Sequence, residues 1–192
     1  MDVEALKAEA GIAACRYVTS GMKVGLGTGS TVKYTILELG RRVRDEGLEI
    51  VGVPTSLATE QLAKEQGIKL CELDELDGLD VVIDGTDEFD PEFQLIKGGG
   101  AALLREKVVA QSSAKMVVVA DDRKKVDCLG AFPLPIEVTP FSYGTTLQAI
   151  QETLGCEASI RQGENGHLVT DNGNFIIDAQ TGATISNPAQ TE

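Results

Sequence analysis

The sequence contains no tryptophan and only one histidine, His167, among its 192 residues. Serine–histidine catalysis therefore has no support, and His167 stands in a stretch rich in Gly and Asn, where an exposed side chain is the usual outcome. Glycine is instead frequent, with 21 residues, and apolar residues make up 42% of the chain. This composition provides enough material for a core and favours an α/β protein with many tight turns between strands and helices.

Basic residues are scarce, because 17 lysines and arginines stand against 30 acidic residues and leave a net charge of −13. A nucleic-acid-binding protein needs a basic surface that replaces counterions, and the sequence has no cluster of Lys and Arg large enough for this. The acidity favours solubility. Any anionic substrate must therefore be held by a few local cations and backbone amides, against the field of the whole protein.

Long apolar runs and closely spaced cysteines are also missing. No run is long enough to span a membrane, and the first residues lack the basic and then apolar pattern of a signal peptide. The cysteines are too far apart in sequence to suggest a zinc site or a redox pair. We expect them to be reduced and mostly buried in a cytoplasmic protein; they are Cys15, Cys71, Cys128 and Cys156.

Apolar segments with strand character alternate with helical patterns up to about residue 129. Strands are predicted over 23–26, 49–53, 69–73, 79–83 and 116–120. The 79–83 segment is almost wholly apolar, as expected for a strand covered on both faces. We therefore predict an open, mostly parallel sheet with helices on both faces, forming a Rossmann-like α/β catalytic domain over residues 1–129.

The character of the sequence changes near Gly130. Residues 132–135, Phe-Pro-Leu-Pro, are predicted to be an extended linker, and a strand over 136–138, a helix over 143–154 and a strand over 158–161 follow. Asp171-Asn172-Gly173 lies between the apolar segments 168–170 and 175–178, which is a strong hairpin signal. Residues 130–192 are thus predicted to form a smaller α+β lobe of ferredoxin-like type.

A loop rich in glycines and hydroxyls, Gly27-Thr28-Gly29-Ser30-Thr31, joins the first strand to a helix. Glycines let the backbone approach an anion closely, and the amides at a helix start point at it. A nucleotide P-loop would need Lys before the Ser or Thr, and a dinucleotide fingerprint would need a different glycine spacing and an acid after the next strand. We predict a site for a single phosphate; the alternative is a tight turn with a good N-cap.

An acidic loop, Asp84-Gly85-Thr86-Asp87-Glu88-Phe89-Asp90, begins where the apolar strand ends. Ligands of open α/β sheets bind beyond the carboxyl ends of the strands, so Asp84 and Asp87 are candidates for chemistry. For Glu88 and Asp90 we expect a solvated, turn-forming loop. A divalent-metal cluster is another interpretation, but the spacing is not that of an EF-hand loop.

A second glycine-rich loop, Gly98-Gly99-Gly100, follows Lys97 and precedes a helix that contains Glu106. Three glycines in a row are costly to order, which makes sense if bare amides must face an oxyanion. Glu106 has apolar neighbours, and a partly buried carboxylate can act as a base near neutral pH. The alternative is a flexible turn followed by a surface Glu.

Six blocks of the sequence carry a more specific signal when they are taken together. They are Gly-Thr-Gly-Ser-Thr from Gly27, Asp-Gly-x-Asp-Glu from Asp84, Lys-Gly-Gly-Gly-Ala from Lys97, Arg-Glu-Lys from Arg105, Phe-Pro-Leu-Pro from Phe132 and Thr-Asp-Asn-Gly-Asn from Thr170. In content, order and spacing this set resembles the type A ribose-5-phosphate isomerase family over nearly the whole chain.

The resemblance implies an isomerase of the pentose phosphate pathway that interconverts D-ribose 5-phosphate and D-ribulose 5-phosphate through an enediolate, without a metal or cofactor. Glu106 would be the base that moves the proton between C1 and C2. Asp84 and Lys97 would move or stabilise protons on the sugar oxygens, including those of ring opening. Asp87 would orient the substrate.

The resemblance also implies how the substrate is bound and how the protein assembles. The amides of Gly98, Gly99 and Gly100 would hold the enediolate, and the family forms homodimers or homotetramers. Surface charge is the default role of Lys7 and Lys124, although both could reach a phosphate. The implied phosphate-binding residues are Thr28, Gly29, Ser30 and Thr31, together with Lys7 and Lys124.

Two features depart from the family pattern. Thr86 stands where the family usually has Ala, which is a small change beside the candidate site. The family also continues beyond the Asn187-Pro188 region with a further helix and strands, so the small lobe is expected to be incomplete. Every matched site residue lies before that point.

Four other interpretations stay open. A sugar-phosphate sensor with the same fold could lose the base, whereas this chain has Glu106, Asp84, Asp87 and Lys97 together. A hexosamine-phosphate deaminase would be expected to use a catalytic histidine. A CoA transferase also uses a glutamate, but the Lys-Gly-Gly-Gly block fits it poorly. The fourth interpretation is a folded but inactive domain.

Overall fold

The computed structural model describes residues 2–191. The helices are α1 (Val3–Ala14), α2 (Val32–Glu46), α3 (Leu57–Glu65), α4 (Leu103–Gln111), α5 (Tyr143–Leu154) and α6 (Pro188–Thr191). The strands are β1 (Lys23–Leu26), β2 (Val51–Pro54), β3 (Lys69–Leu70), β4 (Val81–Gly85), β5 (Glu88–Phe89), β6 (Leu95–Ile96), β7 (Met116–Val119), β8 (Leu134–Val138), β9 (Ala158–Ile160), β10 (Gln162–Gly163), β11 (Gly166–His167) and β12 (Phe175–Ala179).

The chain divides into two compact units. The first contains the residues up to Gly85 together with Leu104–Asp121, and the second contains Thr86–Leu103 together with the residues from Asp122 onward. The functional division into residues 1–129 and 130–192 stays a prediction. Among the described residues, no helix is long and apolar enough to cross a membrane.

A five-stranded parallel sheet forms the centre of the first unit, with the strand order β3-β2-β1-β4-β7. Strand β1 lies in the middle, and its Val24 stands opposite Gly52 on one side and Val81 on the other. The predicted parallel sheet is therefore confirmed. Because all five strands run in the same direction, the loops that follow β1, β2 and β4 leave from one edge of the sheet.

Helices cover this sheet on both faces, as predicted. Val81 and Ile83 of β4 belong to a core cluster with residues of α1, α2 and α3, whereas Val82 between them packs in a second cluster with Val109 of α4. Successive side chains of a strand point to opposite faces. A strand with helices on both faces must thus be apolar throughout, which explains the pattern of 79–83.

The second unit is built on a three-stranded antiparallel sheet in the order β8-β12-β9. Helix α5 covers it, since Tyr143, Leu147 and Ile150 pack on a cluster formed by Val138, Ile160 and Ile177. Strands β5 and β6 form a small antiparallel hairpin, and so do β10 and β11. The smaller α+β part is therefore present.

Three details of the second unit differ from prediction. Leu168–Thr170 is not a strand. Thr170 instead begins a turn over 170–174 that Glu137 holds in place. Glu137 Oε1 accepts from Thr170 Oγ1, Asn172 Nδ2 and Asn174 Nδ2 (2.9, 3.1 and 2.9 Å). Leu134 and Pro135 lie in β8 instead of a linker. The segment expected to be a plain loop after β4 contains the β5–β6 hairpin.

The cysteines are all free thiols, but the expectation that they are mostly buried was wrong. Cys15 is buried between α1 and α2, where its Sγ lies 3.6 Å from the carbonyl oxygens of Gly11 and Thr35. Cys71, Cys128 and Cys156 are half-buried. Small thiols at the edges of the secondary structure leave part of their surface to solvent.

Candidate active site

The first glycine-rich loop leaves β1 at the carboxyl edge of the parallel sheet and leads into α2. Gly29 has a φ of 130°, a conformation that favours glycine. Its carbonyl accepts from the Lys33 N–H at 3.0 Å and so belongs to the start of the helix. Gly29 and Ser30 are exposed, while Thr31 is buried. The first turn of a helix leaves backbone N–H groups without intrahelical partners, which suits an anion site.

A cluster of four hydroxyls joins this loop to the segment after β2, and only one of them, Thr28, was expected as part of the site. The Thr28 hydroxyl donates to Ser56 Oγ at 2.8 Å and lies 2.8 Å from Thr55 Oγ1 and 3.3 Å from Thr59 Oγ1. Thr59 Oγ1 in turn donates to the carbonyl of Gly27 at 2.8 Å. The adjacent hydroxyl residues Thr55 and Ser56 after β2 were the available signal in the sequence. Ser56 is the N-cap of α3, and its Oγ accepts from the Thr59 N–H. The cluster fixes the loop to the start of α3.

Asp84 lies at the same sheet edge and is completely buried near the end of β4. Its Oδ1 accepts from the backbone N–H groups of Thr28 at 3.0 Å and Gly85 at 2.7 Å. A Cβ on Gly27 would lie 2.6 Å from the Cα of Asp84, so only glycine allows the loop to pass this close. The structure thus brings the predicted carboxylate and the predicted phosphate loop together.

Glu106 lies in the first turn of α4, and its residue is only 4% exposed. Glu106 and Val109 are the buried residues of this helix, and their spacing of three places them on one face. The expected partial burial is confirmed, and the alternative of a surface glutamate is wrong. Burial of a carboxylate is costly, and buried charges are rare outside functional or paired sites.

Lys7 lies on α1 and is linked to the first turn of α2 through one carboxylate. Its Nζ is 2.8 Å from Glu4 Oε1, and Glu4 Oε2 accepts from the Tyr34 hydroxyl at 2.9 Å. The hydrogen bond from Lys7 lowers the pKa of Glu4, and the bond from Tyr34 lowers it further. Gly11 permits the close approach of the helices, since a Cβ there would meet the carbonyl oxygen of Thr31. Lys7 is therefore held beside the helix that follows the loop.

The candidate residues of the second unit include Asp87 and the second glycine-rich loop. Asp87 Oδ2 accepts from the Gly99 N–H at 2.7 Å, and the Asp87 N–H donates to the Ile96 carbonyl at 2.9 Å. Lys97 is half-buried directly after β6. Gly98 has a φ of 114°. The structure therefore brings Asp87 and the loop together.

Glu88 and Asp90 are buried, so the expectation of a solvated loop was wrong for both. Glu88 accepts from the backbone N–H groups of Gly130 at 2.8 Å and Phe132 at 2.5 Å. Asp90 does form a turn, as predicted, because its Oδ1 accepts from the N–H groups of Glu92 and Gln94 (3.0 and 2.8 Å). These carboxylates are buried because they satisfy backbone donors.

Arg161 and Asp178 are contacts of the loop that the sequence analysis missed. Arg161 Nη1 donates to the carbonyls of Gly98 and Gly99, and its Nε and Nη2 bind Asp178. No local motif marks either residue. The pairing arises because β9 and β12 are neighbours in the antiparallel sheet.

Lys124, the remaining predicted phosphate contact, and His167, for which no role was predicted, lie outside these groups of contacts. Lys124 is half-buried in a 3₁₀ turn (Asp122–Lys124) that follows β7, and its phosphate role stays a prediction. His167 is exposed, as expected, and its Nε2 lies 3.2 Å from the Tyr143 hydroxyl. It also packs edge-on against the rings of Tyr143 and Phe175.

The fold and these contacts define an open parallel α/β protein with a candidate site at the carboxyl edge of its sheet. A buried carboxylate lies beside a glycine- and hydroxyl-rich loop at the carboxyl edge of a parallel sheet, and a second buried carboxylate lies on a helix of the same unit.

The chain belongs to the ribose 5-phosphate isomerase A family and is an isomerase. The family model described as Ribose 5-phosphate isomerase A (phosphoriboisomerase A) matches residues 51–192. Ribose-5-phosphate isomerase A of Rhodopseudomonas palustris strain TIE-1 is 55% identical over 188 residues, which cover 95% of this chain and 81% of that protein. The protein of the same name from Bacillus mycoides is 53% identical over 186 residues, covering 97% and 83% of the two chains.

Solved structures agree with this assignment. A D-ribose-5-phosphate isomerase in complex with phospho-erythronic acid superposes with a TM-score of 0.96 at 41% identity, covering 100% of this chain and 85% of that one. Ribose 5-phosphate isomerase A from Methanocaldococcus jannaschii superposes with a TM-score of 0.94 at 40% identity, with the same coverage of 100% and 85%.

Proposed function

We propose that this protein interconverts D-ribose 5-phosphate and D-ribulose 5-phosphate through a metal-free enediolate intermediate, in the non-oxidative branch of the pentose phosphate pathway. Family membership supports the substrate pair. The observation that carries the chemistry is the burial of Asp84 and Glu106, at 0% and 4% exposure, in the unit that also contains the first glycine-rich loop. A carboxylate in such surroundings suits proton transfer near neutral pH.

In the proposed reaction, Glu106 removes the proton from C2 of the open-chain aldose. The electron pair of that C–H bond forms the C1–C2 double bond, and O1 takes the negative charge. Glu106 then returns the proton to C1. The O2 hydroxyl gives up its proton and becomes the ketose carbonyl, while O1 takes up a proton and becomes the C1 hydroxyl, so that the net result is transfer of one proton from O2 to O1. Asp84 and Lys97 serve the protons on the sugar oxygens and the opening of the ring, and Asp87 orients the substrate.

The enediolate carries negative charge that must be stabilised as it forms. We assign this role to the amides of the Gly98–Gly100 loop together with Lys97, because fixed donors and a fixed cation are effective where charge develops. A related isomerase forms a complex with phospho-erythronic acid. A sugar acid phosphate carries a carboxylate where an enediolate would carry its charge, which supports an intermediate of this type.

The phosphate group is assigned to the first glycine-rich loop. Exposed Ser30 and the amides at the start of α2 suit a dianion, and Lys7 is held beside that helix. The full proposed set is Thr28, Gly29, Ser30 and Thr31, with Lys7 and Lys124. We also propose a cytoplasmic homodimer or homotetramer.

The test is conversion of ribose 5-phosphate to ribulose 5-phosphate with EDTA present, for the wild type and Glu106→Gln. We expect wild-type activity in EDTA and a loss of about a hundredfold or more in kcat for the variant, which is the usual contribution of a general base. Circular dichroism and the melting temperature check that the variant is folded. Activity that disappears with EDTA would refute the metal-free mechanism, and wild-type activity in Glu106→Gln would refute the base.

A further inference from the structure

We propose that Arg161 is a positioning residue of this isomerase: its guanidinium fixes the direction of the Gly99 and Gly100 amides in the Gly98–Gly100 loop, and Asp178 fixes the guanidinium. This inference rests on the proposed function, which assigns those amides to the enediolate. All of these residues lie in the second unit.

Arg161 holds the loop by its carbonyl oxygens. Its Nη1 donates to the Gly98 carbonyl at 2.8 Å and to the Gly99 carbonyl at 3.2 Å. The Gly98 carbonyl also accepts from the Ala101 N–H at 3.0 Å. Two successive carbonyls of the loop are therefore turned toward one guanidinium.

The direction of the carbonyls determines the direction of the N–H groups. The peptide bonds of the described residues are trans, and in a trans peptide the C=O and the following N–H point to opposite sides. The N–H groups of Gly99 and Gly100 consequently point away from Arg161. The Gly99 N–H donates to Asp87 Oδ2 at 2.7 Å, and Gly100 is exposed to solvent. The peptide group between Gly98 and Gly99 is thus held on both sides, since Asp87 binds its N–H and Arg161 binds its carbonyl oxygen.

A loop of three glycines needs such a restraint. Glycine has no side chain to pack and accepts both signs of φ, so the loop has many alternative conformations. Oxyanion donors are effective only when they are already aimed at the developing charge. Among the hydrogen bonds described above, three groups restrain this loop. One is its own short turn to Ala101, and the other two are the bonds with Asp87 and with Arg161.

Asp178 holds Arg161 in a geometry that only arginine can provide. Nε donates to Asp178 Oδ2 at 2.8 Å and Nη2 to Oδ1 at 2.5 Å, and the two side chains are 15% and 18% exposed. One edge of the planar guanidinium therefore binds the carboxylate while Nη1 remains directed at the loop. Lysine has a single nitrogen and cannot make both sets of bonds with the same geometry. Arg161→Lys therefore keeps the charge and removes the restraint.

The experiment compares the wild type with Arg161→Lys by steady-state kinetics and by calorimetric titration with phosphoerythronate and with inorganic phosphate. We expect kcat to fall about tenfold to a hundredfold, which is less than the loss of a whole oxyanion donor, with KM nearly unchanged. Phosphoerythronate affinity should fall in the same proportion, phosphate affinity should change little, and the binding stoichiometry should stay that of the wild type. Asp178→Asn should show a smaller effect of the same kind.

Arg42→Lys is the matched control, because Arg42 also donates to two backbone carbonyls, those of Cys15 at 2.6 Å and Val18 at 3.1 Å. Arg42→Lys should lower the melting temperature and leave the phosphoerythronate affinity unchanged. Two results for Arg161→Lys would overturn the positioning role. One is an unchanged kcat. The other is a fall in kcat and in the binding stoichiometry with an unchanged phosphoerythronate affinity, because that would indicate a loss of folded protein.

Nuclear magnetic resonance separates this result from a failure of the proposed function. Amide order parameters of Gly99 and Gly100 should fall in Arg161→Lys even if the wild type shows no turnover of ribose 5-phosphate. Unchanged order parameters would overturn the restraint itself, whatever reaction the protein catalyses.

Discussion

The Cα of Gly27 lies directly against the side chain of Asp84, and the adjoining Thr28 N–H donates to the Asp84 carboxylate at 3.0 Å. The loop after β1 and the acid at the end of β4 are therefore one structural unit. Gly27 does not have a positive φ, so the requirement for glycine here is one of space alone.

Gly27→Ala should displace Asp84 and strongly reduce activity. We expect kcat to fall about a hundredfold, because a catalytic group displaced by about 1 Å can lose that much. The free energy of unfolding should fall by about 1–3 kcal/mol from overpacking. Gly144→Ala on α5 is the control, since a Cβ there meets nothing within 4 Å. Wild-type kcat in Gly27→Ala would exclude a close functional coupling of the loop to Asp84.

Ser30→Ala and Thr28→Val should separate phosphate binding from loop support. Ser30→Ala should raise KM about tenfold, which is the size expected for the loss of a hydrogen bond to a charged phosphate. Because Ser30 is exposed, the melting temperature should not change. Thr28 donates to Ser56, so Thr28→Val should also lower the free energy of unfolding by about 1 kcal/mol. Kinetics and urea denaturation of both variants measure these effects. A stability loss in Ser30→Ala, or none in Thr28→Val, would contradict this division of roles.

Glu88→Gln should destabilise the protein without impairing catalysis. The glutamine amide would place an NH₂ group against the N–H of Gly130 or Phe132, where a carboxylate oxygen now accepts. We expect a loss of about 1–3 kcal/mol in the free energy of unfolding, as for an unsatisfied buried donor. The kcat should remain that of the wild type, in contrast to Glu106→Gln. Glu92→Gln, an exposed position of the same hairpin, serves as the control, and a matching loss of kcat in Glu88→Gln would count against a purely structural Glu88.

Cys15 should make stability depend on pH in the alkaline range. Burial raises the pKa of its thiol from 9.0 to about 12, so the unfolded chain loses this proton at lower pH than the folded protein. The stabilisation is therefore complete below pH 9 and is lost as pH rises from 9 toward 12. Relative to Cys15→Ala, the wild-type free energy of unfolding should fall by at most about 1.4 kcal/mol per pH unit in that window. Parallel pH dependences of the two proteins in urea denaturation would rule this out.

Elements with strong local signals were predictable from the sequence. Strand β1 and helix α5 begin and end at the predicted residues, because a short apolar run before a glycine-rich loop and a periodic pattern before Gly155 are both decided locally. The two-residue strands β5 and β6 had no such pattern, and only their pairing with each other makes them strands.

The side chains of the candidate site were predictable in type but not in their contacts. The wrong expectation for Glu88 shows why the contacts were not predictable. The backbone N–H groups that donate to its carboxylate belong to Gly130 and Phe132, which lie more than forty residues further along the chain. The hydroxyl cluster of Thr28, Thr55, Ser56 and Thr59 likewise forms only because β1 and β2 are parallel neighbours that end at the same edge.

The sequence by itself determined the parallel α/β class, the glycine-rich loops and the identity of the acidic and basic candidates, because apolar periodicity and glycine placement act over a few residues. Only the tertiary structure decided that Asp84 is buried against Gly27, that Glu88 and Asp90 serve backbone donors, and that Arg161 and Asp178 hold the Gly98–Gly100 loop. These contacts join segments that are distant in sequence. Their geometry follows from strand order and packing, which no local pattern of residues specifies.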